Sequence, residues 1–281
     1  MQIGIRLHDT ADLPLEKRLE IVKNQGFSCG HLAISKLMKD IPSGVSALTP
    51  GFACYLKKMF LKYDLDIAVL GCYLNLANPD SFALNRNIEQ YMAHIRFASV
   101  LGCGVVGTET GAPNSEYRYE PACHTDKALE VFIKNLRPIV SYAEKMGVIL
   151  AIEPVYKHIV WNPKCARKVL DQVNSPNLQI IFDPVNLLDV SNLDRCDELF
   201  EEAVTLLGKD IAVIHLKDYI LDDNGRIVSV ASGTGNMDYR RIIKFIKEEK
   251  PYIHVIIENT VSDNSEVARK YIVGLLDSFI S

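Results

Sequence analysis

The stretch VILAIE, residues 148–153, decides how this sequence folds, because it is a short apolar run that ends at a carboxylate, Glu153. Three later runs have the same form: LQIIFD (178–183) ends at Asp183, IAVIH (211–215) at His215 and IHVIIE (253–258) at Glu258. Their length and their Val and Ile content favour buried parallel strands over segments of helix. Each run ends in a residue of a type that binds metal ions.

The spacing of these end residues predicts a barrel. They are separated by 30, 32 and 43 residues, and one strand with its helix needs about 30 residues or more. The four residues therefore lie on successive strands, whose carboxyl ends meet at one mouth in a (β/α)₈ barrel. Three carboxylates crowded there would repel one another unless a cation lay among them. Any one of them alone can equally be a helix N-cap or a loop residue, so only the ordered set indicates a metal site.

The rest of the chain continues the alternation of strand and helix. The other predicted strands are 2–7, 27–34, 66–72 and 103–109. The predicted helices are 14–25, 50–62, 85–101, 125–146, 163–173, 194–207, 238–249 and 264–279. The chain is thus predicted to be an α/β protein, one (β/α)₈ TIM barrel that forms a single domain over residues 1–281, with its active site at the carboxyl ends of the strands.

Composition narrows the class of protein. The chain has 281 residues, of which 48% are hydrophobic, so it can bury a large core. A net charge of −4 provides no general basic field for nucleic acid. The seven cysteines are scattered without a CxxC pair, which favours buried thiols in a reducing compartment. Neither a leader-like start nor a run of about 18 apolar residues occurs, so we expect a cytoplasmic protein without a membrane partner.

Several short motifs resemble a known family. In chain order they are GTETG (107–111), AIEP (151–154), FDPVN (182–186), IHLKD (214–218), GTGNMDY (233–239) and IIEN (256–259). Together they resemble the sugar phosphate isomerase/epimerase family of the xylose isomerase-like TIM barrel superfamily, over nearly the whole chain. The resemblance implies that one divalent metal ion is bound by Glu153, Asp183, His215 and Glu258.

The ligand types suit proton transfer next to a carbonyl group. Two adjacent oxygens of a hydroxy-ketone or hydroxy-aldehyde can chelate a divalent cation, which polarises the carbonyl and stabilises the enediolate left when a neighbouring C–H loses its proton. Glu153 and Glu258 are the candidate catalytic residues, one removing a proton and the other returning it. Return to the opposite face gives an epimerase, and return to the neighbouring carbon gives an aldose–ketose isomerase. A lyase or dehydratase that uses the same enolate is the alternative.

The expected cofactor is one divalent ion held mostly by oxygen. Manganese is the first choice, with magnesium and cobalt as alternatives, because three carboxylates and one imidazole form a mostly hard oxygen set. Zinc is a further alternative, because it binds most nitrogen and oxygen ligands more tightly than manganese does.

The residues around the metal differ from those of ketose 3-epimerases in this superfamily. Those enzymes carry a further Glu, His and Arg where this chain has Ile159, Asn186 and Leu221. We therefore expect a different sugar or polyol as the small-molecule partner. The candidate substrate-binding residues are Lys217, His158, Asn186, Glu109, His8 and Trp161.

Other features allow more than one interpretation. His31 is expected to be a core histidine bonded to backbone, the 233–235 turn to close over the site, and the 112–125 loop to act as a lid. Cleavage of abasic DNA is a less favoured function, since the extra histidines and aspartates of a three-zinc site are not found. A homo-oligomer is possible, but no stripe of residues identifies an interface.

Overall fold

The computed structural model describes residues 1–38 and 41–279, and within these ranges eight parallel strands close a barrel in the order β1-β10-β7-β6-β5-β4-β3-β2. The barrel strands are β1 Gln2–Arg6, β2 Cys29–Leu32, β3 Asp66–Gly71, β4 Val105–Glu109, β5 Ile149–Glu153, β6 Leu178–Phe182, β7 Ile211–Leu216 and β10 His254–Ile257. The predicted (β/α)₈ barrel is confirmed. The division into domains stays a prediction.

Helices connect the strands and cover the outside of the barrel. They are α1 Leu15–Asn24, α2 Ile34–Leu37, α3 Pro50–Lys62, α4 Ser81–Leu101, α5 Asp126–Met146, α6 Pro163–Val173, α7 Cys196–Leu207, α8 Arg240–Glu249 and α9 Ser265–Ser278. Helices α4 and α5 end at Gly102 and Gly147, whose φ angles of 84° and 66° lie in the left-handed region that glycine tolerates. In the described part of the chain, no helix is both long and apolar enough to cross a membrane.

The structure differs from the sequence-based prediction in three main places. A short helix, α2 Ile34–Leu37, follows β2, where the predicted strand runs on to residue 34. Helix α4 begins at Ser81 rather than near residue 85, because the Asp80 side chain accepts a hydrogen bond from the backbone N–H of Phe82 and caps the helix. A β-hairpin, β8 Asp218–Leu221 with β9 Ile227–Val230, follows β7. Its turn contains Asn224 followed by Gly225, a strong hairpin signal that the sequence analysis did not use.

The cysteines are less uniformly buried than expected. Cys29, Cys72, Cys103 and Cys123 are buried thiols, whereas Cys54 on α3 is exposed.

A layer of small and branched residues fills the barrel below its mouth. Buried against one another are Cys29, Ala68, Val69, Ala151, Ile181, Val213 and Ile256. Gly4 and Gly107 complete this layer, since a Cβ at Gly107 would lie 2.6 Å from Ile181 Cδ1 and 2.7 Å from Val69 Cγ1. Side chains alternate between the two faces of a strand. Residues two positions further along each strand therefore also point inward, and they form the floor of the mouth.

We expect Gly107→Ala to lower the free energy of unfolding by about 1–3 kcal/mol, because the added methyl overpacks this layer. Gly104→Ala is the matched control, since a Cβ at Gly104 meets nothing within 4 Å. Urea unfolding of both variants tests the expectation. Equal stability of the two variants would show that the layer is not tightly packed.

Candidate metal centre

Inward-facing strand positions supply the side chains at the mouth. Two residues beyond the packed layer, the eight strands present Arg6, His31, Gly71, Glu109, Glu153, Asp183, His215 and Glu258. Asp183 and Glu258 each follow the last residue of their strand, and the other six lie within strands. The four sequence-predicted ligands are therefore consecutive members of a ring.

The four predicted ligands converge on His215. Ligand atoms of Glu153, Asp183 and His215 all lie within 4.8 Å of one another. His215 Nδ1 lies 3.4 Å from Glu153 Oε1 and 3.0 Å from Glu258 Oε1. All four side chains are buried, with at most 3% of any residue exposed. Ligand atoms of Glu258, His31 and His215 form a second group that also lies within 4.8 Å.

The surroundings of His215 fit a divalent cation. Among the described residues, neither of its ring nitrogens has a hydrogen-bond partner of acceptable geometry, although the ring is fully buried. Burial lowers the pKa of His215, but the nearby Glu258 and Glu153 carboxylates outweigh it and raise the pKa to about 10. The carboxylates thus attract a positive charge to this point. An imidazole with two or three carboxylate groups is a donor set that manganese, magnesium, cobalt and zinc accept.

Two fixed cations hold the outer oxygens of this cluster. Lys217 Nζ lies 2.8 Å from Asp183 Oδ2 and 3.5 Å from Glu258 Oε2, while Arg6 Nη1 donates to the same Glu258 oxygen at 3.0 Å. Burial raises the pKa of Glu258, but His215, Lys217 and Arg6 outweigh it and hold that pKa well below its usual range. Glu258 is therefore anchored as a carboxylate. Arg6 also pairs with Asp9 at 2.8 Å, so its charge is shared between two carboxylates.

Arg6 was missed by the sequence analysis, and a signal for it existed. It is the last residue of β1, two positions after the inward-facing Gly4, just as Glu153 follows Ala151. Its guanidinium also donates to Asp9 Oδ2 at 2.8 Å and to Asn259 Oδ1 at 3.4 Å, which fixes the group beside Glu258.

Asn186 links the metal-binding cluster to Lys217. Its amide nitrogen donates to Glu153 Oε1 at 2.8 Å, and its amide oxygen accepts from Lys217 Nζ at 2.7 Å. Its backbone N–H, with that of Val185, donates to Asp183 Oδ1. Asn186, in the turn after β6, therefore orients side-chain atoms of Glu153, Asp183 and Lys217.

A second polar group lies beside this cluster, at the ends of β4 and β5. Glu109 is in register with Glu153, its carboxylate accepts from Tyr117 Oη at 3.4 Å, and it lies 3.7 Å from His158 Nδ1. Burial lowers the pKa of His158 to about 4 and raises that of Glu109. Tyr117 comes from the predicted lid loop and has a left-handed φ of 55°, an unusual backbone for tyrosine that the surrounding contacts maintain.

His31 does not have the environment that the sequence analysis expects. It is fully buried, but its Nε2 bonds to Tyr73 Oη at 2.8 Å rather than to backbone, and its ring lies 5.3 Å from that of His215. His8 meets His31 edge-on, with ring centroids 6.2 Å apart. Burial lowers the pKa of His8 to about 3, so His8 is neutral.

Two further features lie beside the cluster rather than within it. Trp161 stacks on His124, with ring centroids 4.4 Å apart, and lines a separate cavity. The 233–235 turn is fixed by Asp218, whose carboxylate accepts from the backbone N–H of Gly233 and Met237. A Cβ at Gly235 would lie 2.2 Å from the Tyr219 carbonyl oxygen, so only glycine fits this close approach.

Comparisons with known proteins agree with the barrel fold. A family profile described as "Xylose isomerase-like TIM barrel" matches residues 20–273. A search of curated proteins finds no significant match.

Several solved structures share the fold at low identity. A D-tagatose 3-epimerase-like protein is 20% identical with a TM-score of 0.75, and the match covers 99% of this chain and 97% of that one. The IolI protein with a bound zinc atom is 18% identical with a TM-score of 0.72, and both chains are covered fully, at 100%. A probable 3-DHS dehydratase from Bacillus anthracis is 14% identical with a TM-score of 0.72, again with 100% of both chains covered.

We expect His215→Ala to abolish divalent metal binding, because it removes the ligand shared by both groups of candidate donors. After dialysis against Mn²⁺ or Zn²⁺, the parent chain should hold about one ion and the variant less than about a tenth of one. His254→Ala is the matched control, since His254 bonds to Gln2 Oε1 at the opposite end of the barrel. Unchanged metal content in His215→Ala would show that the centre has been misassigned.

Proposed function

Because this chain belongs to the xylose isomerase-like TIM barrel family, we propose that it is a divalent-metal-dependent isomerase or epimerase of a sugar or a related polyhydroxy carbonyl compound. The observation that carries the proposal is the convergence of Glu153 and Glu258 on one atom of His215, at 3.4 and 3.0 Å from its Nδ1. Two carboxylates that flank one bound substrate can remove a proton and return one.

Glu153 is the better placed of the two to accept a proton first. Its Oε1 accepts from Asn186, whereas its Oε2 has no hydrogen bond or ion pair with the described residues. A carboxylate held by one oxygen keeps the other free for a C–H proton next to a carbonyl group. A general base positioned in this way contributes about 10² to 10⁴ in rate.

Glu258 is the second carboxylate, and its surroundings keep it ionised at the start of the reaction. Arg6 and Lys217 hold its Oε2, and together with His215 they keep its pKa low, so the side chain stays ionised. Its Oε1 lies 3.0 Å from His215 Nδ1. Because Glu258 is ionised, inversion of the carbon centre requires that Glu258 take a proton from water and deliver it to the carbon, while Glu153 releases to water the proton that it removed. Return of that proton by Glu153 to the adjacent carbon would instead convert an aldose to a ketose.

The metal ligands are proposed to be Glu153, Asp183, His215 and Glu258. A divalent ion bound there would polarise the substrate carbonyl and stabilise negative charge on its oxygen. The IolI structure, which shares this fold, contains a bound zinc atom, and this supports a metal-binding role for the barrel. Manganese stays the first choice among manganese, magnesium, cobalt and zinc, because most of the donors are carboxylate oxygens.

The remaining polar residues of the mouth are proposed to bind substrate hydroxyl groups. The low pKa values of His158 and His8 leave neutral imidazoles, which can each donate one hydrogen bond and accept another. Asn186 and Glu109 offer an amide and a carboxylate beside Glu153. Lys217 pairs with Asp183, and one of its N–H groups can donate to a substrate oxygen instead. The D-tagatose 3-epimerase-like structure supports a sugar-sized, neutral substrate.

A lyase or dehydratase is the second candidate. Elimination of water begins with the same removal of a proton next to a carbonyl, so Glu153 would serve it equally well. The full-length similarity to a probable 3-DHS dehydratase favours keeping this candidate.

The proposed chemistry predicts that a substrate C–H exchanges with deuterated water. We expect Glu153→Gln to reduce this exchange by at least about a hundredfold, because the amide cannot accept the proton. Glu20→Gln, at an exposed position of α1, is the matched control and should leave exchange unchanged. NMR of a sugar and polyol panel with added Mn²⁺ measures the rate.

Product mass then distinguishes the two candidates. An isomerase or epimerase leaves the mass unchanged apart from deuterium, whereas a dehydratase product lacks one water. Exchange that is equally fast in Glu153→Gln and in the parent chain would contradict the assigned role of Glu153.

A further inference from the structure

A second cavity opens beside the mouth, between the loops that follow β5 and β6. Its volume is about 440 Å³, and Tyr156, Trp161, Ser191, Arg195 and Glu198 are among its lining residues. None of these belongs to the four proposed metal ligands. The proposed proton-transfer chemistry therefore gives the cavity no role.

One wall of the cavity is a rigid aromatic surface. The Trp161 indole stacks on His124 with an angle of 19° between the rings, and Tyr156 meets Trp161 edge-on at 6.0 Å. His124 Nε2 donates to the Tyr156 backbone oxygen at 2.7 Å, which ties the stack to the loop after β5. A fixed aromatic wall suits a flat ligand with an apolar face.

The other side of the cavity is polar and carries no net charge. Lys164 pairs with Glu202 at 3.0 Å. Arg195 and Glu198 are exposed, and neither has an ion-pair partner among the described residues. The two positive and two negative side chains balance, so the cavity does not select an anion such as a phosphate. A guanidinium and a carboxylate together can bind hydroxyl groups as donor and acceptor.

The cavity is connected to the proposed catalytic centre through Tyr156. The backbone N–H of Tyr156 donates to the Asn186 carbonyl at 2.7 Å, and the Asn186 side chain donates to Glu153. A smaller space of about 230 Å³ is lined by both Asn186 and Tyr156. Tyr156 therefore borders both spaces, and its backbone hydrogen bond to Asn186 places the cavity next to the residue that contacts Glu153.

We propose that this cavity binds the second ring of a neutral disaccharide or other glycoside, with the Trp161 and Tyr156 wall against the sugar face. The proposal rests on the proposed function, because the first ring is the one that reacts at the metal centre. It narrows the substrate class from sugars in general to glycosides, and it makes Trp161 a specificity-determining residue outside the reacting centre.

The fluorescence of the protein reports directly on this cavity, because Trp161 is the only tryptophan of the chain. We expect cellobiose or maltose to change the emission saturably, and D-glucose to need at least about tenfold more ligand for the same change, since it lacks the second ring. Arg195→Ala should weaken the disaccharide response by up to about tenfold. No change with either disaccharide, or an equal response to D-glucose, would overturn the proposal.

A relocated reporter provides the control. In the double variant Trp161→Phe, Tyr252→Trp, the fluorescent residue stands at an 88% exposed position just before β10, at the opposite end of the barrel. This reporter should not respond to cellobiose, and a response equal to that of Trp161 would also overturn the proposal.

The Glu153→Gln variant separates this inference from the proposed function. It should keep the Trp161 response, because binding in the cavity does not need proton transfer. A preserved fluorescence response without any C–H exchange in the parent chain would refute the isomerase chemistry alone. Exchange on single sugars with a silent Trp161 would refute the second-ring site alone.

Discussion

The mutual repulsion of three buried carboxylates is the constraint on which the mouth of this barrel depends. Glu153, Asp183 and Glu258 surround His215 with almost no access to water, where like charges are costly. Arg6 and Lys217 neutralise part of that charge and hold the outer oxygens in place. The Glu258 and Glu153 carboxylates raise the pKa of His215 and favour a cation beside it, so the same charges that oppose folding also make the mouth a candidate cation site.

The geometry of the strands makes this concentration of charge possible. Alternation along each strand places a packed layer of Ala151, Ile181, Val213 and Ile256 below the polar residues. That layer fills the barrel below the mouth, so the polar side chains cannot move into the barrel interior. The residues that pack the barrel and those of the proposed site thus lie in adjacent layers, two positions apart along each strand.

The sequence was sufficient to predict the barrel and the convergence of Glu153, Asp183, His215 and Glu258, because strand length, spacing and direction determine where strand ends meet. It did not reveal Arg6, which no motif surrounds; the signal was its place two positions after Gly4 in the first strand, the same spacing as Glu153 after Ala151. It misjudged His31, whose partner Tyr73 follows the third strand and is brought near only by closure of the barrel. Trp161 was expected to bind substrate near the metal; it stacks on His124 and lines a neighbouring cavity, and its role in substrate binding stays a prediction.

The central claim is that one divalent ion is held among these carboxylates and His215. Anomalous diffraction from crystals soaked in MnCl₂ tests it most directly. The account predicts a single manganese peak at the mouth, bonded to Glu153, Asp183 and His215 at about 2.0–2.6 Å. A mouth without a peak, with Lys217 still paired to Asp183 in saturating metal, would contradict it.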